Sequence, residues 1–80
     1  MTNSTEIERE VLRILATLKT RGAVITRGQR LIADLKLLSD DATAMALELE
    51  WRFGVKIPRE EWARVLTVQD TIDLVVRHRA

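Results

Sequence analysis

The chain has no cysteine, and a single histidine, His78, lies near its C-terminal end. It forms no disulfide and offers no thiol of its own, so thiol chemistry here requires a bound group that brings the sulfur. One histidine and no cysteine also argue against a zinc site or a histidine-based triad. There is one proline, Pro58, and only three aromatic side chains: Trp51, Phe53 and Trp62. No stretch approaches the run of about 18 apolar residues that a membrane helix needs, and no leader-like segment opens the chain. The expectation is a cytoplasmic protein with no stable membrane insertion.

What is present is a small apolar set of Leu, Val, Ile and Ala within 80 residues and 46% hydrophobic content. That length makes one domain, residues 1–80, with a modest core. Net charge is +1, which favours neither nucleic acid nor an acidic tail. The charge is unevenly spread. Residues 19–36 hold five cations against Asp34, and residues 39–61 hold six carboxylates against three cations, balances of +4 and −3. A basic segment therefore precedes an acidic one, either as two solvated surfaces or as a face for basic partners.

Apolar spacing predicts the helices. Ile7, Val11, Ile14, Leu15 and Leu18 recur on one face of a first helix, capped by Ser4 or Thr5. Lys19, Arg21 and Gly22 close it. A long connection follows over 22–38, with Val24, Ile25, Leu31, Ile32 and Leu35 as apolar anchors. A second long helix runs from about Asp40 to Phe53, with Ala42, Met45, Ala46, Leu49 and Phe53 in one stripe. Leu47 and Trp51 lie off that stripe, either half-covered by a loop or left as an apolar spot for a partner. Gly54 ends this helix. Pro58 opens a short one through Trp62, as its first residue. Thr67 and Asp70 form a capping pair for the last helix, whose Val68, Ile72, Val75 and Val76 face inward. Arg77, His78 and Arg79 suit its negative end. The expected fold is all-α, a four-helix bundle of three longer helices and one short helix, with a long loop after the first.

Catalytic constellations are missing. Asp40 and Asp41 diverge by about 100° on a helix, and Glu48 and Glu50 diverge too, so neither is a facing carboxylate pair. No phosphate-cradling glycine loop and no nucleophile–base set is present. An autonomous enzyme is not expected. A DNA-reading helix is not expected either, because the central helix opens with Asp40 and Asp41 where phosphates would lie. Ser39 is the residue in question: a good N-cap on local grounds, followed by anions that suit the helix dipole.

From Leu31 to Val75 the chain resembles acyl carrier proteins. The matching residues are Asp34-Leu35, Ala46-Leu47-Glu48-Leu49-Glu50, Phe53-Gly54-Val55-Lys56-Ile57-Pro58, Glu60-Glu61 and Thr67-Val68-Gln69-Asp70-Thr71-Ile72-Asp73. They run in register without a gap. The resemblance implies that Ser39 receives phosphopantetheine from coenzyme A through a phosphopantetheinyl transferase. It further implies that the terminal thiol of that arm holds acyl groups as thioesters. Acyl-loading and acyl-transfer enzymes would be the partners, meeting Asp40, Asp41, Leu47, Glu48 and Trp51. The implied protein is a non-catalytic monomer without metal, in lipid or fatty acid biosynthesis. The chain departs from the family's usual Asp-Ser-Leu by reading Leu38-Ser39-Asp40, and Ala44, Trp51 and Arg52 replace acidic positions. This points to a specialised carrier with its own partners. The other reading keeps the fold without the cofactor, as a protein-interaction subunit in which Ser39 only caps.

Overall fold

Periodic apolar faces with capping residues between them produce four helices in the computed structural model, which describes residues 4–18 and 24–79. These are α1 (Ser4–Leu18), α2 (Ser39–Phe53), α3 (Arg59–Trp62) and α4 (Val68–Arg79), and no strand occurs among the described residues. The architecture is the expected all-α bundle, with a radius of gyration of 11.5 Å. α1 packs against both α4 and α2.

The core follows the helical period. Ile7, Val11, Ile14 and Leu15 of α1 are buried against Met45, Leu49 and Phe53 of α2 and Val68, Ile72, Leu74 and Val75 of α4. Leu18 and Val76 pack at the edge of this cluster. Each fully covered aliphatic side chain contributes about 1.5–3 kcal/mol relative to exposure. Thr71 is fully buried, and its hydroxyl donates to the Thr67 carbonyl at 3.2 Å. That bond satisfies a polar group the core could not otherwise hold.

The ends of α2 and α4 are set by local chemistry. Gly54 takes the left-handed conformation at φ 63°, and the Val55 N–H donates to the Glu50 carbonyl at 3.0 Å. Only glycine adopts that conformation without a Cβ penalty. Thr67 and Asp70 form the expected reciprocal cap: Asp70 N–H donates to Thr67 Oγ1 at 3.0 Å, and Thr67 N–H to Asp70 Oδ2 at 3.1 Å.

Several expectations are corrected. Ser39 is not the cap of α2. It is the first helical residue, and Leu38 stands at the cap position with φ −92° and ψ 167°. The Leu38 N–H donates to Asp41 Oδ2 at 3.1 Å, so Asp41 does the capping work from inside the helix. Pro58 likewise stands outside α3, at its cap position, because its ψ of 144° is extended. Ser4 and Thr5 both lie within α1, so neither stands ahead of it as a cap. Val24 and Ile32 are 80% and 74% exposed and anchor nothing, whereas Leu31 is buried and Ile25 and Leu35 pack at the core edge. The closing role assigned to Lys19, Arg21 and Gly22 falls outside the described residues.

The long connection is held by backbone pairing that periodicity does not reveal. Leu31 N–H donates to the Leu66 carbonyl at 2.9 Å, and Val68 N–H to the Gln29 carbonyl at 3.0 Å. Arg30 and Thr67 thereby form an isolated antiparallel bridge. The segment then turns at Lys36, φ 57°, and Leu37 N–H closes back on the Leu31 carbonyl at 2.9 Å. Asp34 accepts the Arg30 N–H at 2.7 Å, and that bond holds its carboxyl below the ordinary range. Arg27 pairs with Glu8, which ties the same segment to α1 and raises the guanidinium pKa further. Buried Leu31 and Leu37 fix where the chain enters α2, and this places Ser39.

Candidate functional site

Ser39 is exposed, and among the described residues its hydroxyl makes no hydrogen bond. Release from capping leaves that oxygen available. The first helical bond of α2 runs from Ala42 N–H to the Leu38 carbonyl at 2.9 Å, so the Ser39 and Asp40 N–H groups come before the ladder starts. These groups and the dipole of a fifteen-residue helix favour an anion on the Ser39 oxygen. Asp40 is exposed beside it, while the Asp41 carboxylate is engaged by Leu38.

Two grooves meet at Ser39. One, of about 490 Å³, runs toward the long connection between Leu31, Leu37, Met45 and Val65, with the exposed Ile32 and Leu38 among its lining. Apart from Ser39 its side chains are hydrocarbon, the Met45 thioether and the Trp62 indole. The other, of about 440 Å³, runs along α2 toward α3, past Thr43, Leu47, Glu50, Ile57 and Arg59. Ala42, Ala46, Trp62 and Ala63 line both. An arm attached at Ser39 thus has an apolar groove on one side and a mixed apolar and charged one on the other, and the residues present fit a phosphate ester bearing a long chain.

The other predicted site residues lie along α2. Leu47 and Trp51 are 61% and 79% exposed, one turn apart, and Glu48 is exposed beside them. Asp40 stands two turns before Leu47, so Asp40, Leu47 and Trp51 share one outward sector by helical period. The pair is an exposed apolar spot and not a loop-covered one. Asp41 is only half-exposed and is occupied with the Leu38 N–H.

Three arrangements at or near this site were not legible beforehand. Glu50 Oε2 accepts both the Ile57 N–H at 3.1 Å and the Trp62 indole N–H at 3.2 Å. Arg52 is drawn off the outward face toward the buried Glu10 of α1, at 3.4 Å. Glu61 of α3 meets His78 at 3.0 Å and Arg77 at 3.2 Å, both on α4. The bond with His78, then that from Arg77, holds the Glu61 carboxyl below its ordinary value. The first and third of these depend on how α3 seats and the second on how α1 meets α2, which no periodic pattern encodes.

The all-α bundle presents an exposed serine at the start of its second helix, with two grooves beside it, and is consistent with an acyl-carrier-like fold. Comparison with known proteins agrees. The acyl carrier proteins of Rickettsia typhi and Rickettsia prowazekii are each 33% identical over 76 residues, spanning 94% of this chain and 88% of theirs. That of Rickettsia canadensis is 32% identical over the same span. No protein-family model matches the chain. The chain belongs to the acyl carrier protein family. Its general role is that of a non-catalytic acyl carrier, in a family that works with acyl-handling enzymes through phosphopantetheine. None of the described helices is long and apolar enough to cross a membrane.

Proposed function

We propose that this chain carries acyl groups on phosphopantetheine attached at Ser39, in a dedicated lipid or acyl biosynthetic pathway. One observation carries the reading: the Ser39 hydroxyl is exposed, makes no hydrogen bond among the described residues, and opens onto two grooves. When bound, phosphopantetheine supplies the thiol that the cysteine-free chain lacks. Ser39 would give up its hydroxyl proton to the transferase and form the new oxygen–phosphorus bond, as the bond from that phosphorus to the nucleotide of coenzyme A breaks. The N-terminal end of α2 would then steady the phosphodiester. Apolar side chains beside Ser39 would keep water off a folded-back acyl chain.

Asp40, Asp41, Leu47, Glu48 and Trp51 are proposed as the surface that partner enzymes meet. An exposed indole beside a leucine suits an apolar pocket on the partner, ringed by cations that answer Asp40 and Glu48. The same reading takes residues 1–80 as one domain, monomeric and cytoplasmic.

Co-expression with a broad-specificity phosphopantetheinyl transferase tests this. Intact mass should rise by one phosphopantetheine, and Ser39→Ala should abolish the rise. An unchanged wild-type mass would favour the cofactor-free interaction subunit, a reading that the Leu38-Ser39-Asp40 sequence keeps open.

A further inference from the structure

We propose that Trp62 is the wall that decides where an acyl chain lies, and that Glu50 is the positioning residue that holds this wall in place. The inference rests on Ser39 as the attachment point. Trp62 lines both grooves at Ser39, and its half-buried ring packs against the core. Its orientation is not left to packing alone. The indole N–H donates to Glu50 Oε2 at 3.2 Å, and the same oxygen accepts the Ile57 N–H at 3.1 Å. Ile57 is buried, so the carboxylate is pinned to a fixed point of the backbone.

An indole held there separates two different environments. On one side lie Leu31, Leu37, Met45 and Val65. On the other, Leu47 and Ile57 lie among the charged Glu50 and Arg59. A hydrocarbon chain tethered at Ser39 gains by covering the first set. It would have to strip water from charged groups to follow the second. Trp62 therefore confines a straight alkyl chain to the groove beside the long connection, and the extent of that groove limits the length sheltered. Removing the indole joins the two spaces and lets longer chains in. Losing the Glu50 carboxylate does the same by freeing the ring.

Because the chain has no cysteine, Ser39→Cys creates a single attachment point, and Trp51→Phe leaves Trp62 as the sole fluorophore. Straight alkyl methanethiosulfonates, from butyl through octyl to hexadecyl, are then reacted with this full-length double variant, the introduced thiolate taking the alkylthio group as methanesulfinate leaves. Trp62 emission should shift to shorter wavelength, and iodide quenching should fall, as the chain lengthens. Both should level off before hexadecyl, along with the rise in melting temperature. With Trp62→Ala added, or Trp62→Leu should the alanine variant fail to fold, the melting temperature should keep rising to hexadecyl. Glu50→Ala should follow Trp62→Ala, and Glu50→Gln, which keeps a carbonyl acceptor, should restore the parent profile. Emission independent of chain length would overturn the proposal, as would superimposable profiles for parent and Trp62→Ala. The alkyl chain is attached chemically, so the result stands whether or not Ser39 accepts phosphopantetheine.

Discussion

Arg52 on α2 lies 3.4 Å from the carboxylate of Glu10 on α1, a residue only 8% exposed. Arg13 meets the same oxygen at 3.0 Å. Two half-exposed guanidiniums thus neutralise one covered carboxylate at the α1–α2 seam, and the cost of breaking the cluster depends on which member goes. Glu10→Ala releases both guanidiniums into water and should cost about 1 kcal/mol. The Arg13→Ala, Arg52→Ala double variant leaves a covered carboxylate without its partners and should cost about 2–3 kcal/mol. Urea denaturation compares them, and equal losses would contradict the cluster as described.

Trp51 differs from its neighbour Arg52 in making no polar contact among the described residues. At 79% exposure, Trp51→Glu should change stability by no more than about 0.5 kcal/mol. The same substitution should slow acyl loading or transfer by the partner enzymes. A large fall in melting temperature would instead make Trp51 part of the fold.

Asp70 joins two parts of the molecule. It accepts the Leu66 and Thr67 N–H groups at 3.0 and 3.1 Å, while the Leu66 carbonyl receives Leu31 N–H from the long connection. Asp70→Ala should cost about 1–2 kcal/mol as the cap is lost. Faster amide exchange at Leu31 should accompany it, since its acceptor sits on the loosened link. Unchanged exchange there would separate the cap from the loop.

Glu61 predicts how acid acts on α3. Its bond with His78, and then that from Arg77, lower its folded pKa below the ordinary 4.5. A carboxyl depressed in the folded state contributes stability above its unfolded pKa and loses it as pH falls through the folded value. The melting-temperature gap between wild type and Glu61→Gln should therefore be widest above the unfolded carboxyl's range and close as pH falls below it. A gap that widens on acidification would have the wrong sign.

The sequence was most informative where a single local rule decides the outcome. The spacing of Ile7, Val11, Ile14 and Leu15 marked the buried face of α1, Gly54 marked the end of α2, and the Thr67–Asp70 pair marked the start of α4. It misled where two local options compete. Serine is a good cap, yet Asp41 reaches the Leu38 N–H and buried Leu37 fixes the entry, so the helix begins one residue earlier and Ser39 stays free of capping. Val24 and Ile32 failed as anchors because a loop has no period to say which apolar residues turn inward. The Glu50–Trp62 bond spans twelve residues through the seating of α3. The attachment candidate could thus be read from the residues in register, and the walls around it could not.

The central claim is that Ser39 holds the cargo. The most direct test is the intact mass of the protein purified from its own cells, with fragmentation to locate any added group. One phosphopantetheine on Ser39, with or without an acyl group, is the predicted result. A chain recovered wholly with unmodified Ser39 would contradict the account.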